Sequence, residues 1–252
     1  MLEQLMDKFC FEDVRENYLE GDMEEKRFLE YLQQFQQGDF SNKKQFVEFF
    51  LNSSEDEVFI LGMRLFMAIA SHEDFELLED FMSECDEEEL RVFLAYVEES
   101  LSLQVIPYLL ALYEEWEGTG VGDDIVRSIC GMLGQRYIDG EGYDLEQLGD
   151  YFKDFAENHN LEKFYYNGEE FFSGNLTKLV IRVAMNCKDK NMHFYTDQAP
   201  SILSNSFGIM CPVFYDVEID DNKVSELYDY VNTLSAVEQE KGEKYFYGHK
   251  VM

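Results

Sequence analysis

Carboxylates are concentrated in one segment of this chain. Between Ser71 and Val126 there are seventeen Asp and Glu residues against one basic residue, Arg91, a balance of -16. The whole chain of 252 residues carries a formal net charge of -33, so this segment supplies about half of it. Such a charge repels nucleic acids and anionic membranes, and it speeds the association of basic proteins. The segment therefore predicts a site for a basic protein partner.

The predicted site joins these acids to Trp116, the only tryptophan of the chain. An aromatic ring flanked by carboxylates is typical of an anchor for Arg- or Lys-rich partners, although a core position is the alternative for Trp116. Like charges one helical turn apart destabilise a helix by a few tenths of a kcal/mol per pair. Acids that are maintained without basic residues to neutralise them therefore indicate a functional role. The predicted partner-binding residues are Asp74, Glu76, Glu79, Asp80, Glu84, Glu98, Glu99, Glu114, Glu115, Trp116, Glu117, Asp123 and Asp124.

Metal-dependent and nucleophilic catalysis have little support. The four histidines lack the spacing of a ligand set and no Cys-x-x-Cys occurs, so no metal and no other cofactor is predicted. Cys187 or Cys211 could pair with His193 or His249, but free buried cysteines are mostly inert. With 53 acids, carboxylate pairs at helical spacing arise by chance. We predict that the protein is not an enzyme.

Phosphate binding and nucleic-acid binding each have one weak candidate. The glycines of residues 118–122 resemble a phosphate loop, but the lysine is missing and Asp123 and Asp124 follow, which favours a flexible interhelical loop. Four cations in a chain of this charge are better explained as internal partners for acids than as a phosphate track. They are Lys178, Arg182, Lys188 and Lys190. No nucleic-acid partner is predicted.

Composition and segment lengths restrict the class of protein further. The chain is 46% hydrophobic and 15% aromatic, which argues against a disordered acidic tail. Salt adaptation is a rival cause of the acidity, but the heavy use of Phe, Tyr and Asn disfavours it.

The longest apolar stretch, residues 58–70, is interrupted by Arg64 and is too short to span a bilayer. The N-terminus lacks a basic start, and five scattered cysteines indicate reduced thiols. We predict a cytoplasmic protein without a membrane partner.

Helical periodicity dominates the chain. Leu90, Phe93, Leu94 and Val97 show the i, i+3, i+4, i+7 spacing, which recurs along the sequence. Arg91 and Arg127 stand 36 positions apart, each just after an acidic helix start, which is within the range of helical-hairpin repeats. Residues 105–135 resemble one HEAT-type helical hairpin, and Pro107 is expected to kink or start the first helix of this hairpin. The predicted helices are 2–19, 23–36, 42–52, 56–70, 74–83, 87–99, 103–116, 123–137, 145–157, 176–187 and 222–236.

The last third departs from this pattern. Asn167-Gly168 between aromatic flanks predicts a two-residue β hairpin. Residues 192–221 predict a loop with one or two short strands, and the aromatic end from Lys244 predicts a segment that packs back on the body. The fold class is mainly α: a HEAT-like α-solenoid over residues 1–160, with a C-terminal portion over 161–252 that carries a small irregular or β element. We expect both to form one continuous domain.

A family resemblance adds a function. An acidic HEAT-like protein with an aromatic C-terminal portion resembles the immunity proteins of bacterial polymorphic and contact-dependent toxin systems. The FYYNGEEFF-to-LTKLVIRVAM segment (164–185) and the closing residues 244–250 resemble the immunity protein 47 family. The resemblance implies tight 1:1 binding of a cognate toxin domain by a monomer, without catalysis. Nucleases are one class of basic toxin that an acidic inhibitor suits. The alternatives are a non-catalytic scaffold or adaptor for a basic partner, and an enzyme of unidentified type.

Overall fold

A computed structural model describes residues 23–140, 142–196 and 198–252 of the chain. The described part is mostly helical with two small antiparallel strand pairs, which confirms the mainly α prediction. Three 3-10 helices span Glu73–Leu78, Val97–Ser100 and Leu103–Val105. The α helices are α1 Met23–Gln36, α2 Lys43–Leu51, α3 Asp56–Ile69, α4 Glu79–Glu84, α5 Glu87–Tyr96, α6 Ile106–Trp116, α7 Gly120–Met132, α8 Leu145–Asn158, α9 Ser173–Lys190, α10 Gln198–Phe207 and α11 Asp221–Leu234. The strands are β1 Tyr165–Tyr166, β2 Glu169–Glu170, β3 Tyr245–Phe246 and β4 His249–Lys250.

Local sequence signals explain many of these helices. α1 buries Phe28, Leu32 and Phe35, which lie on the stripe that its periodicity predicts. Asp86 begins α5 with a capping box, because its side chain accepts from the third helical residue, Glu89, whose own carboxylate accepts from the Asp86 N–H. Pro107 stands in the first turn of α6, where the missing N–H costs nothing, so it starts this helix and does not kink it. The predicted helix 2–19 lies outside the described residues.

Several predicted boundaries were wrong. The prediction of 74–83 as one helix is replaced by the 3-10 helix Glu73–Leu78 followed by α4. α7 begins at Gly120 and not at Asp123, because Thr119 caps it by accepting from the Gly122 N–H. Most of the predicted flexible loop 118–122 is therefore the first turn of a helix. α10 was missed: a ten-residue helix stands where a loop with short strands was predicted. In the described part of this region the strand pairing is limited to an isolated bridge between His193, before α10, and Glu218, after it.

The chain forms two compact units. Of the described residues, unit 1 comprises those in 23–42, 53–61 and 172–252, and unit 2 comprises those in 43–52 and 62–171. Three features stay predictions: the boundary at residue 160 between the helical array and the C-terminal portion, their union in one continuous domain, and the solenoid arrangement of the helices.

Unit 2 holds most of the acidic segment in a helical framework. Within it, α6 packs against α7 and α8, and α5 packs against α7. Its core contains a chain of phenylalanine rings, in which Phe46 contacts Phe50, Phe50 contacts Phe66 and Phe66 contacts Phe75 at centroid distances of 5.2, 6.4 and 6.2 Å. These four rings are fully buried, so their removal from water stabilises the framework that carries the surface acids.

Unit 1 contains α1 and the three helices α9 to α11, with the hairpin β3–β4 packed against α10. α9 contacts both α10 and α11. Phe246 and Val251 are buried, which confirms the prediction that the aromatic C-terminal segment packs back on the protein.

The two β hairpins are built alike. The predicted hairpin β1–β2 turns through Asn167 and Gly168, whose φ angles are 49° and 74°. The hairpin β3–β4 turns through Tyr247 and Gly248, with φ angles of 50° and 80°. Two successive left-handed residues define a type I′ turn, whose twist matches that of the flanking strands. The tyrosine in the second turn explains why the sequence did not reveal this hairpin.

Each hairpin also docks on the end of a helix in the same way. In unit 2 the Gly168 N–H donates to the Met132 carbonyl at the end of α7 over 3.0 Å. In unit 1 the Gly248 N–H donates to the Ser206 carbonyl near the end of α10 over 2.8 Å. Two residues beyond each acceptor stands a left-handed glycine that ends the helix. These glycines are Gly134 and Gly208. The two units thus share one helix-and-hairpin arrangement.

Candidate functional site

All thirteen predicted partner-binding residues lie in unit 2, on the 3-10 helices Glu73–Leu78 and Val97–Ser100, on α4, on α6 and the residue after it, and on α7. The structure separates them into acids that face solvent and acids that are engaged within the unit. Eight of the thirteen are exposed: Glu76, Glu79, Asp80, Glu84, Glu114, Glu115, Glu117 and Asp123. These eight residues are called the acidic face below.

Asp74 belongs to the interior of unit 2. Its Oδ2 accepts from the Lys43 Nζ over 2.6 Å and from the N–H and hydroxyl of Ser71 over 2.7 Å each. Lys43 is itself buried, with 7% of its side chain exposed. Burial works to raise the pKa of Asp74, but the hydrogen bonds and the charge of Lys43 outweigh it and hold the pKa below its ordinary value of 3.8. Asp74 therefore ties the 3-10 helix to α2.

Replacing Asp74 with Asn is expected to lower the free energy of unfolding by about 1–3 kcal/mol, because a buried ammonium loses its charged acceptor. Since the folded pKa is lowered, this stabilisation is present above pH 3.8 and is lost as the pH falls through the folded value. Urea titrations between pH 3 and pH 7 should show a shallower acid loss for Asp74→Asn. Glu76→Gln, an exposed change on the same 3-10 helix, is the matched control. Equal stability curves for both variants would contradict this role.

Asp124 is neutralised by two arginines. Arg91 Nη1 lies 2.8 Å from Asp124 Oδ2, and Arg127 Nη1 lies 2.9 Å from Asp124 Oδ1. Arg91 also pairs with Glu87 over 2.9 Å. The one basic residue of the acidic segment is therefore used to join α5 to α7, and Asp124 contributes little net charge to the surface.

Glu98 and Glu99 are not part of the exposed set either. Glu99 is only 7% exposed, and its Oε2 lies 3.9 Å from Nε of the fully buried Arg64. Glu98 is half-buried and rests against Gly131 of α7, where a Cβ would come within 3.1 Å of Oε1. A role for these two carboxylates in partner binding stays a prediction.

Trp116 ends α6 and is half-buried. Its carbonyl accepts from the Thr119 hydroxyl over 2.7 Å, and a Cβ on Gly122 would lie 2.4 Å from the same oxygen. Gly122 therefore allows α7 to begin directly against the end of α6. This close approach explains the glycine at position 122 without a phosphate ligand.

The acidic face creates a negative field along α6. The Tyr108 hydroxyl lies 3.4 Å from Oε1 of Glu79. Burial and then the charges of Glu79 and Glu76 raise the pKa of this phenol. Near the other end of α6, burial and the charges of Glu89, Asp86 and Glu115 raise the pKa of the Cys85 thiol to about 11. Carboxylates from separate helices thus contribute to the raised pKa of the same side chain.

The same effect extends toward α8. Burial, followed by the charges of Glu117, Asp123 and Asp144, raises the pKa of Tyr113 on α6. For Tyr108, Cys85 and Tyr113 alike, burial is the largest cause of the raised pKa, and the neighbouring carboxylates add a negative potential to it. Such a surface can attract a basic protein, whereas proton transfer at neutral pH would require groups with pKa values closer to 7.

Metal binding finds no support in the described residues, since no group of three or more His, Cys, Asp or Glu side chains there could hold an ion. His72 is structural, because it stacks on Phe164 at 4.2 Å and its Nδ1 lies 2.8 Å from the Ser102 hydroxyl. Within the described ranges, Cys85, Cys187 and Cys211 are free thiols. Across those ranges the structure contains no helix that is long and apolar enough to cross a membrane.

The basic group on α9 differs from expectation. Lys188 pairs with Asp221, as predicted for an internal partner of an acid. Lys178, Arg182 and Lys190 are exposed and have no acidic partner within the described part of the chain. Lys178 lines a groove in unit 1, together with Ser173 and Gly174 at the start of α9.

Comparison with known proteins identifies one family. A family model described as immunity protein 47 matches residues 9–251, which is nearly the whole chain. No curated protein and no solved structure matches the chain.

Proposed function

The chain belongs to the immunity protein 47 family, and from this membership we propose that it binds and neutralises a cognate bacterial toxin domain through the acidic face. In this proposal the toxin domain is basic, and one copy binds one immunity protein in the cytoplasm. The protein acts by occupancy of a surface and carries out no reaction. Nucleases are one class of toxin that fits, because the cleft of a nuclease is basic in order to bind the phosphates of its substrate.

The observation that carries the proposal is the set of eight exposed carboxylates around α6, which stands apart from the acids engaged within unit 2. None of these eight carboxylates forms an ion pair within the described residues, and their combined field extends about 8–10 Å into solution at physiological salt. Half-buried Trp116 lies beside Glu114, Glu115 and Glu117 and offers an apolar contact within this field. Aromatic anchors surrounded by polar residues are typical of the centres of tight interfaces.

The test uses the toxin domain that we expect a neighbouring gene to encode. Coexpression should restore growth of cells that produce the toxin, and the purified mixture should elute as a 1:1 complex in size-exclusion chromatography with light scattering. The affinity should fall as salt concentration rises, because the attraction is electrostatic.

Three other outcomes would each overturn a different part of the proposal. Absence of a complex would overturn toxin binding. A complex in which the toxin keeps its activity would support the scaffold alternative instead of immunity. Protection with an affinity independent of salt would leave the immunity role but remove the acidic face from the interface.

A further inference from the structure

Unit 2 exposes large hydrophobic side chains in one place, on the connection from α7 to the first residue of α8. Among the large hydrophobic residues that the structure describes in unit 2, Ile138 and Leu145 are the exposed ones, at 46% and 36%. Single exposed apolar residues are scattered over most protein surfaces, whereas a unit that confines them to one connection indicates an interaction site. Ile138 and Leu145 are called the apolar pair below.

Hydrogen bonds to the Tyr143 hydroxyl hold the backbone around Ile138 in place. The Ile138 N–H donates to this oxygen over 3.0 Å, and the hydroxyl donates to the Arg136 carbonyl over 3.4 Å. The Tyr143 ring stacks on Tyr137 with centroids 5.9 Å apart, and the Arg127 guanidinium lies 5.1 Å from the centroid of the Tyr137 ring. The connection is therefore ordered before a partner arrives, so less conformational entropy is lost on binding.

Tyr113 links this connection to the acidic face. Its hydroxyl donates to the Tyr143 carbonyl over 2.7 Å, which joins α6 to the connection. Burial and then the charges of Glu117, Asp123 and Asp144 raise the pKa of the same phenol. Glu117 and Asp123 belong to the acidic face, and Asp144 directly precedes Leu145. The negative surface therefore continues from the acidic face to the apolar pair.

Carboxylates outnumber cations in this part of unit 2. Four exposed acids form no ion pair within the described residues: Glu117, Asp123, Asp139 and Asp144. Arg136 is the exposed cation of the connection, as far as the structure describes it. An apolar contact within an acidic rim is complementary to apolar side chains that Lys and Arg surround. A second copy of this chain would be repelled, because each copy carries a net charge of -33.

We propose that the apolar pair anchors the basic toxin domain once the acidic face has attracted it. An apolar side chain of the toxin packs on Ile138 and Leu145, and neighbouring Lys or Arg side chains of the toxin meet Asp139 and Asp144. This anchor rests on the toxin binding proposed above and gives each surface its own kinetic role. The acidic face sets the rate of association, and the apolar pair sets the rate of dissociation.

The test measures both rate constants for the complex of the full chain with the toxin domain. Ile138→Ala combined with Leu145→Ala should speed dissociation about tenfold or more, because a buried apolar contact is lost. The association rate and its salt dependence should change by less than about twofold, since no charge is altered. The matched control combines Ile209→Ala with Val237→Ala, two aliphatic residues of unit 1 that are 37% and 44% exposed. Both rates should be unchanged in the control.

Thermal unfolding of the double variant should match that of the unmodified protein, because both side chains are exposed. Ile138→Ala alone gives the same readout without a change in α8. A complex that dissociates at the same rate in the double variant and in the control would overturn the anchor and leave toxin binding intact. Absence of any complex with the unmodified protein would overturn toxin binding and the anchor with it. A dimer of the unmodified protein, seen by light scattering and lost in the double variant, would assign the apolar pair to a second copy and overturn the anchor.

Discussion

Changing Glu114, Glu115 and Glu117 to lysine is expected to slow association with the basic toxin domain about tenfold or more at low salt. These exposed carboxylates lie at the end of α6, where the negative field also acts on Cys85 and Tyr113. The three substitutions replace negative by positive charges and so reverse the local electrostatic field that attracts a basic partner. Stopped-flow association rates across a range of ionic strength measure the effect, and the salt dependence should flatten.

Stability should change little in this variant, since lysines near a helix C-terminus interact favourably with the helix dipole. The pKa of the Cys85 thiol should fall, because Glu115 is one of the charges that raise it. A thiol titration therefore shows that the local field has changed, independently of any partner.

The matched control reverses three exposed acids that lie outside the acidic face, Glu30, Glu48 and Asp229. It changes the net charge by the same amount and separates the effect of the face from that of total charge. Equal slowing in both triple variants would show that net charge alone steers association. Unchanged rates in the first variant, together with a lowered thiol pKa, would remove this end of α6 from the interface.

Replacing Gly168 with Ala is expected to lower the free energy of unfolding by about 2–5 kcal/mol. Gly168 has a φ of 74°, and an added Cβ would lie 2.5 Å from the Leu133 carbonyl oxygen and 3.0 Å from Cα of Gly134. These are backbone atoms, so the hairpin β1–β2 must move away from the end of α7. The hydrogen bond from Gly168 to Met132 is strained by the same movement. Urea denaturation of the full chain measures the loss.

Gly248→Ala is the matched control for this effect. Gly248 occupies the same place in the hairpin β3–β4 with a φ of 80°, but nothing lies within 4 Å of its added Cβ. Gly248→Ala should lower the free energy of unfolding by only about 1–2 kcal/mol, which is the cost of a left-handed backbone conformation at a residue that has a Cβ. The difference between the two variants therefore measures the close packing of the first hairpin, and equal losses would contradict it.

Local interactions account for what could be predicted from the chain alone. The stripe of Phe28, Leu32 and Phe35 predicts α1 because a helix repeats every 3.6 residues, and all three side chains are buried. The Asn167-Gly168 pair predicts its hairpin because those residues tolerate the two left-handed positions that a type I′ turn requires. The family could be suspected from segments at 164–185 and 244–250, and the match over residues 9–251 confirms it.

Long-range packing accounts for the features that the sequence did not reveal. α10 contains Pro200, three serines and Asn205, which are poor helix formers, yet residues 199–206 are buried and the Ser204 hydroxyl both donates to the Pro200 carbonyl and accepts from the Cys211 N–H. Its helix exists because unit 1 packs around it.

The same holds for the candidate sites. Asp74 is joined to Lys43 and Asp124 to Arg91 across 31 and 33 residues, so composition could not separate these engaged carboxylates from the eight exposed ones. Sequence alone determined the overall charge and the helices that have a local apolar stripe or cap, such as α1 and α5, because these depend on neighbouring residues or on their sum. The fold decided which charges remain free, because pairing depends on distances that only tertiary packing sets.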